Sequence, residues 1–138
     1  MSQERVERVR AGHAAFNRGE FDVGLEGIAD DVTWEVLDVF PDKGPFHGKE
    51  GILRFWQSWA ETFSEFRAEI EEIVDLEEHI VVVMHMSGRG HGSAAPMRTP
   101  TFAQIWTFEG DQISRVRMVL DREQAVALVG AEGRKPAG

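Results

Sequence analysis

Apolar residues recur at intervals of three and four along two stretches in the first half of the chain, which is the spacing of one helix face. In residues 3–17 these positions are Val6, Val9, His13 and Phe16. In residues 49–63 they are Ile52, Phe55, Trp56, Trp59 and Phe63. The spacing predicts two amphipathic helices, with a shorter helix between them over residues 21–28 that ends at the acidic pair at 30–31.

The remainder of the chain follows the two-residue alternation of β-strands. Strands are predicted over residues 32–38, 66–71, 80–87, 102–108 and 113–120. The segment 80–87 is apolar on both faces, whereas 66–71 has one polar face. Glycine and proline predict loops over residues 40–45 and 88–100. A short helix over residues 121–129 and a flexible tail over residues 131–138 complete the predicted order.

The order of elements, with helices first and a meandering antiparallel sheet afterwards, predicts a single α+β domain. Helices on one face of the sheet would leave Val81 and Val83 in water, so we expect a second layer on the other face. Another copy of the chain supplies that layer most simply. The sequence therefore predicts a homodimer that packs through the sheet.

Composition argues against several classes of function. The net charge of −9 opposes binding to nucleic acid and to anionic membrane surfaces. The absence of cysteine removes disulfides, thiolate metal sites and cysteine nucleophiles. His79, His85 and His91 recur at a spacing that suits neither a helical nor a strand metal site, so neither metal nor cofactor is predicted. No apolar signal segment or membrane span is visible, which predicts a cytoplasmic protein.

Several segments resemble the SnoaL-like family, part of the ketosteroid-isomerase and nuclear-transport-factor-2-like superfamily. The segments are residues 16–22, 29–35, 46–52 and 120–123, together with Phe55, Trp106, Gly110 and Ile113. The resemblance implies a SnoaL-like domain over residues 1–130, in which a cone-shaped, cystatin-like antiparallel sheet packs on three N-terminal helices and encloses one pocket. Members include isomerases, polyketide cyclases, dehydratases, epoxide hydrolases and non-catalytic binding proteins, so the fold leaves the function open.

The residues that ketosteroid isomerase uses are replaced at the matching positions. That enzyme combines an Asp base with an oxyanion hole of Tyr and a protonated Asp. The base position falls near Val36, the Tyr position near Gly12 and the second Asp position near Gln104. The chain contains no tyrosine, which excludes a phenolic donor. One carboxylate of the limonene-type epoxide hydrolases falls near Met118, so that mechanism is poorly supported as well.

Asp38 and His13 are the candidate catalytic residues. Strand alternation puts Asp38 on the same face as Val36, where an apolar wall would raise the pKa of its carboxyl and suit it to proton transfer. The alternative leaves Asp38 in water at the pocket rim. His13 lies on the apolar side of the first helix, where it could shuttle a proton or serve only as a hydrogen-bonded imidazole of the core.

The pocket itself is expected to be apolar, with Gln104 as its main polar group. An unpaired buried amide costs about 1–3 kcal/mol, so Gln104 needs a ligand, a water or His13 as its partner. The predicted ligand-binding residues are Phe16, Trp34, Val36, Phe55, Trp59, Met84, Phe102, Gln104, Trp106 and Met118. Trp56 and Met86 are further inward-facing candidates.

Three functions are compatible with these residues. The first is a proton-transfer enzyme, an isomerase or a polyketide cyclase-like lyase, that acts on a small hydrophobic carbonyl compound. Asp38 or His13 would move the proton, and Gln104 with a Trp indole would stabilise the oxyanion. The second is a protein that binds a small hydrophobic molecule without transforming it. The third is a structural dimer with a collapsed core and no cavity.

Overall fold

Helical spacing in the first half and strand alternation in the second produce the elements of an α+β fold. The structure is a computed structural model that describes residues 2–36, 45–90 and 96–133. The helices are α1 (Ser2–Asn17), α2 (Phe21–Gly24), α3 (Gly48–Thr62) and α4 (Arg122–Gly133). The strands are β1 (Ile28–Glu35), β2 (Phe46–His47), β3 (Phe63–Leu76), β4 (His79–Gly90), β5 (Pro96–Arg98), β6 (Phe102–Glu109) and β7 (Gln112–Val119).

These strands form one curled sheet that does not close. Their order is β2–β1–β7–β6–β4–β3, and β5 pairs with β4. β1 runs parallel to β7, whereas the other described pairs are antiparallel. The pairing of β3 with β4 shifts register between Ser64 and Arg67 and again between Ile70 and Glu72. Such bulges bend a strand and increase its twist. The predicted α+β class with a curved sheet is confirmed.

Helices α1 and α3 pack on the inner face of this sheet and bury the main core. α1 contacts β3, and α3 contacts β1 and β3. Ile80, Val82 and Met84 alternate toward this face along β4 and are almost completely buried. Burying one such side chain contributes about 1.5–3 kcal/mol. The apolar stripes predicted from the helical spacing therefore meet the inner positions of the strands.

The outer face of the sheet is covered by α4. Val81, Val83 and Ile105 form a second apolar cluster with Ala125 of that helix. The chain's own last helix therefore supplies the second layer that the two-sided burial of β4 requires. The sheet-packed homodimer stays a prediction, but the burial of Val81 and Val83 no longer calls for it.

Several element boundaries differ from those predicted: β1 begins at Ile28 and not at residue 32, and β3 spans Phe63–Leu76 and not residues 66–71. α2 ends at Gly24 and does not reach Ile28, because Gly27 adopts a φ of 80° and Ile28 already pairs with Ile113 in the sheet. At the other end, residues 131–133 of the predicted tail belong to α4. Glu132 pairs with Arg117 of β7, which fastens this last helical turn to the sheet.

The two predicted loops are only partly described. β4 continues through Gly90, and β5 pairs with it across the segment predicted as loop 88–100. Gly88 allows β4 to approach β3 closely, since a Cβ there would lie 3.2 Å from the Cα of Phe66 on β3. Residues 37–44 and 91–95 lie outside the described residues, and so do Asp38, His91 and residues 134–138. Within the described part of the chain, no helix is long and apolar enough to span a bilayer.

Candidate functional site

A small cavity lies between the helices and the inner face of the sheet. Its volume is about 40 Å³, which is room for about three water molecules. Its aromatic wall consists of Phe16, Trp34, Phe55, Trp56, Trp59 and Trp106. Met84, Met86 and Met118 supply much of the remaining apolar wall, and His13 and Gln104 are its polar side chains. Eight of the ten side chains predicted to contact a ligand therefore line this cavity.

The other two predicted contacts, Val36 and Phe102, belong to the surrounding core. Phe102 is buried on the same face as Gln104, but it lies two residues before Gln104, at the start of β6, and outside the cavity wall. Val36 is half-buried against the same core. Three small residues complete the wall without having been predicted to contact a ligand: Gly12 of α1, Gly24 of α2 and Ala68 of β3. A Cβ at Gly24 would lie 3.2 Å from the Trp56 ring, so glycine permits this close approach.

Three polar side chains form one hydrogen-bonded cluster at the cavity wall. His13 Nε2 lies 2.9 Å from Gln104 Oε1, and His13 Nδ1 lies 2.8 Å from the Val9 carbonyl oxygen. The Trp106 indole Nε1–H donates to the same Gln104 oxygen at 2.8 Å. His13 and Gln104 are 6% and 4% exposed, so water contributes little to this cluster. Gln104 thus has His13 as the partner that its burial demanded.

Burial controls the charge of His13. It lowers the pKa of the imidazole below its ordinary value, and the hydrogen bonds with Val9 and Gln104 oppose this effect only in part. No charged side chain of the described residues contributes to the shift. His13 is therefore a neutral imidazole at neutral pH, which is the protonation state of a general base.

Helix α1, which carries His13, is fastened to the sheet near both ends. Asn17 donates to the Ala68 carbonyl oxygen at 3.0 Å and accepts from the Ala68 backbone N–H at 2.6 Å. Arg5 donates to the carbonyl oxygens of Glu77 and Gly110, at the turns after β3 and β6. These bonds fix the position of His13 relative to β6, and helical periodicity contains no signal for them.

Asp38, the other predicted catalytic residue, lies outside the described residues. No carboxylate is among the described side chains of the cavity wall. A separate cluster, on the opposite face of β4, holds His85 between Glu69 at 2.6 Å and Glu71 at 2.9 Å. The hydrogen bond from His85, with a further one from Thr101, lowers the pKa of Glu71. Across the described ranges, no group of His, Asp and Glu is arranged to hold a metal ion.

A curled, unclosed sheet packed on N-terminal helices, with a cavity between the two layers, defines the class of nuclear-transport-factor-2-like proteins. The chain belongs to the SnoaL-like domain family, whose model matches residues 9–116. No curated protein matches it significantly. The resemblance seen in the sequence is therefore confirmed at the level of the family.

Solved structures of the same fold are distant in sequence. An NTF2-like protein of unknown function from Burkholderia pseudomallei superposes with a TM-score of 0.73 at 22% identity, covering 90% of this chain and 95% of that one. A Catenulispora acidiphila protein with a ketosteroid isomerase-like fold, solved with trimethylamine, gives 0.72 at 17% identity, covering 90% and 92%. TerC, co-crystallised with polyporic acid, gives 0.73 at 20% identity, covering 91% and 95%. At these identities the likeness shows the fold alone.

Proposed function

We propose that the protein binds a compact, largely apolar organic molecule whose oxygen atom accepts a hydrogen bond from Gln104. The observation that carries the proposal is the state of the Gln104 amide. Its oxygen is engaged by His13 and Trp106, while its nitrogen has no acceptor among the described residues. A ligand oxygen in the cavity would accept a hydrogen bond from this N–H, and such a bond contributes about 0.5–1.5 kcal/mol.

The apolar wall sets the rest of the ligand's character. Six aromatic rings and three methionines surround the cavity, so its occupant must present carbon to nearly every side. The methionines are unbranched and polarizable, and they adapt their shape to a ligand more readily than branched side chains do. This composition favours one polar end and an apolar body.

Cavity size limits the ligand further. Typical small-molecule sites measure about 300–1,000 Å³, whereas this cavity measures about 40 Å³. A molecule of a few heavy atoms requires small shifts of Met84, Met86 or Met118, and a polyketide-sized molecule requires a larger opening. We therefore favour a compact ligand over a steroid-like one.

Cyclopentanone is expected to bind more tightly than cyclopentane, because only the ketone satisfies the Gln104 amide. All four tryptophans of the chain line the cavity, so their fluorescence reports on its occupancy directly. Replacing Gln104 with Met keeps the length of the side chain but removes the donor. Loss of one hydrogen bond weakens cyclopentanone binding about five- to tenfold and leaves cyclopentane binding nearly unchanged.

Gln112→Met is the matched control for this experiment, since Gln112 is exposed on β7. The control should bind both probes as the unmodified protein does. Equal affinity of the unmodified protein for the two probes would contradict a role for the amide. Absence of binding by either probe, by fluorescence and by thermal unfolding, would remove the proposed function.

Proton transfer is the second candidate function, favoured by a neutral, buried imidazole on the wall of the same cavity. For this reaction the His13 ring would have to turn Nε2 away from the Gln104 oxygen. Nε2 would then take a proton from the carbon next to a ligand carbonyl, breaking that C–H bond, while the Gln104 N–H stabilises the enolate oxygen. The prediction is that the protein accelerates exchange of the α-hydrogens of cyclopentanone with D₂O, followed by NMR. His13→Gln should reduce the acceleration at least about 100-fold, and the exposed His47→Gln should not. A rate equal to that in buffer alone would leave binding as the function.

Asp38 as a catalytic group and the sheet-packed homodimer remain predictions alongside this proposal. The ligand-binding and exchange experiments do not depend on either. If His13→Gln exchanges α-hydrogens as fast as the unmodified protein, the base must be a group other than His13, and Asp38→Asn is then the variant to measure.

A further inference from the structure

The hydrogen bonds at the cavity wall determine how the Gln104 amide is oriented. The Trp106 indole nitrogen carries a hydrogen and can only donate, so the Gln104 atom 2.8 Å away from it must be the amide oxygen. Rotating the amide would place its NH₂ group against the indole N–H, which sets two donors against each other. The Gln104 oxygen therefore faces both Trp106 and His13.

His13 then meets an acceptor at each of its ring nitrogens. Nε2 lies 2.9 Å from the Gln104 oxygen, and Nδ1 lies 2.8 Å from the Val9 carbonyl oxygen. Neither oxygen can donate, so each ring nitrogen must carry a hydrogen to make an attractive contact. A neutral imidazole has only one such hydrogen. Both contacts are satisfied together only by the imidazolium cation.

No acidic side chain among the described wall residues balances that cation. His13 is the one titratable side chain among the described wall residues, which come from α1, α2, α3, β1, β3, β4, β6 and β7. Burial accordingly keeps the imidazole neutral. One of the two ring nitrogens then carries no hydrogen, and its lone pair points at the oxygen of Gln104 or of Val9. The described groups by themselves therefore leave either an unfavourable contact at His13 or an uncompensated buried charge.

We propose that the cavity takes its ligand as an organic anion, an ionised oxygen on an apolar body such as a small carboxylate, and that His13 gains one proton from solvent when the anion binds. The inference rests on the proposed function and specifies the charge of the ligand. The anionic oxygen accepts from the free Gln104 amide N–H₂, and its charge compensates the imidazolium. Every polar group of the cluster then has a partner of the right kind.

Proton uptake gives the binding a definite pH dependence. A carboxylic acid is ionised above about pH 5, while the imidazole of the empty protein is neutral above its lowered pKa. The pKa of His13 is higher in the anion-bound protein than in the protein without the anion. At a pH between these two values, binding consumes one proton. The affinity for a carboxylate therefore falls about tenfold for each unit of rising pH in this window. An uncharged amide of the same shape consumes no proton.

Isothermal titration calorimetry with isobutyrate and isobutyramide tests this inference on the unmodified protein. Titrations near pH 7 in phosphate and in Tris, whose ionisation enthalpies differ, give the number of protons taken up per ligand. We expect about one proton for isobutyrate and none for isobutyramide. His13→Gln should abolish the uptake, and the exposed His47→Gln should retain it.

Each outcome separates this inference from the proposed function. Binding of isobutyrate without proton uptake, or tighter binding of isobutyramide than of isobutyrate at pH 6, would overturn the anionic ligand. Binding of cyclopentanone with no binding of isobutyrate would overturn it as well, and would leave the proposed function intact. Failure of all three probes would remove the proposed function itself. The two-buffer measurement needs no variant, so it decides the question even if His13→Gln does not fold.

Discussion

Replacing Ala125 with Asp is expected to destabilise the protein by about 3 kcal/mol or more, because the carboxylate would enter a fully apolar cluster. Ala125 is completely buried against Val81 and Ile105 on the outer face of the sheet. The buried cation on that face, Arg117, is already paired with Glu132. An added carboxylate would lose its hydration among these apolar side chains and compete with Glu132 for Arg117, which would detach α4. Urea unfolding measures the loss.

Ala127→Asp is the matched control, since Ala127 lies two residues away on the exposed side of the same helix. It should change stability by no more than about 0.5 kcal/mol. Similar losses for the two variants would mean that α4 does not cover the sheet as described. Sedimentation of Ala125→Asp would also show whether the uncovered outer face associates with a second copy, which is the arrangement that the sequence predicted.

Trp34→Ala is expected to cost about 3–5 kcal/mol and to open the cavity at its centre. The Trp34 ring is 3% exposed, and its centroid lies 5.4 Å from that of Trp106 and 5.9 Å from that of Trp56, both in edge-on contact. Removing it leaves rigid rings that cannot close the space. Added indole should fill the gap and, at 100 times its dissociation constant, restore roughly 2.7 kcal/mol. Thermal unfolding with and without indole measures both effects.

Trp34→Phe provides the control for this variant. It keeps an aromatic ring in the same place and loses only part of the volume and the weak Nε1–H bond to the Met118 sulfur at 3.2 Å. Its stability should lie much closer to that of the unmodified protein, and indole should have little effect on it. If indole stabilised Trp34→Phe as much as Trp34→Ala, the cavity would open to indole without the Ala substitution.

Local spacing was sufficient to predict most elements of the fold. The helical stripe of α3 and the alternation along β6 and β7 identified the faces that are buried, because side-chain direction follows the backbone period. The predicted wall residues that line the cavity came from this rule together with the family resemblance. Alternation does not tell how far along its strand a residue lies from the cavity. Phe102 and Gln104 share a face, yet only Gln104 reaches the cavity.

Contacts between distant segments required the structure. His13 and Gln104 are separated by 91 positions, and no periodicity relates them. The orientation of the Gln104 amide, which underlies both proposals, depends on Trp106 and His13 meeting the same oxygen. The side-chain amide of Asn17 fixes the helix that carries His13 by bonding to the backbone of Ala68, and backbone groups carry no signal in the sequence.

The sequence by itself determined the family, the α+β class and which face of each element is apolar. All three follow from local periodicity and from short segments whose order along the chain is characteristic. Tertiary structure alone decided that α4 covers the outer face, that the cavity measures about 40 Å³ and that His13 has an acceptor at both nitrogens. These depend on which surfaces meet and on the volume left between packed side chains, and a pattern of apolar positions contains neither quantity.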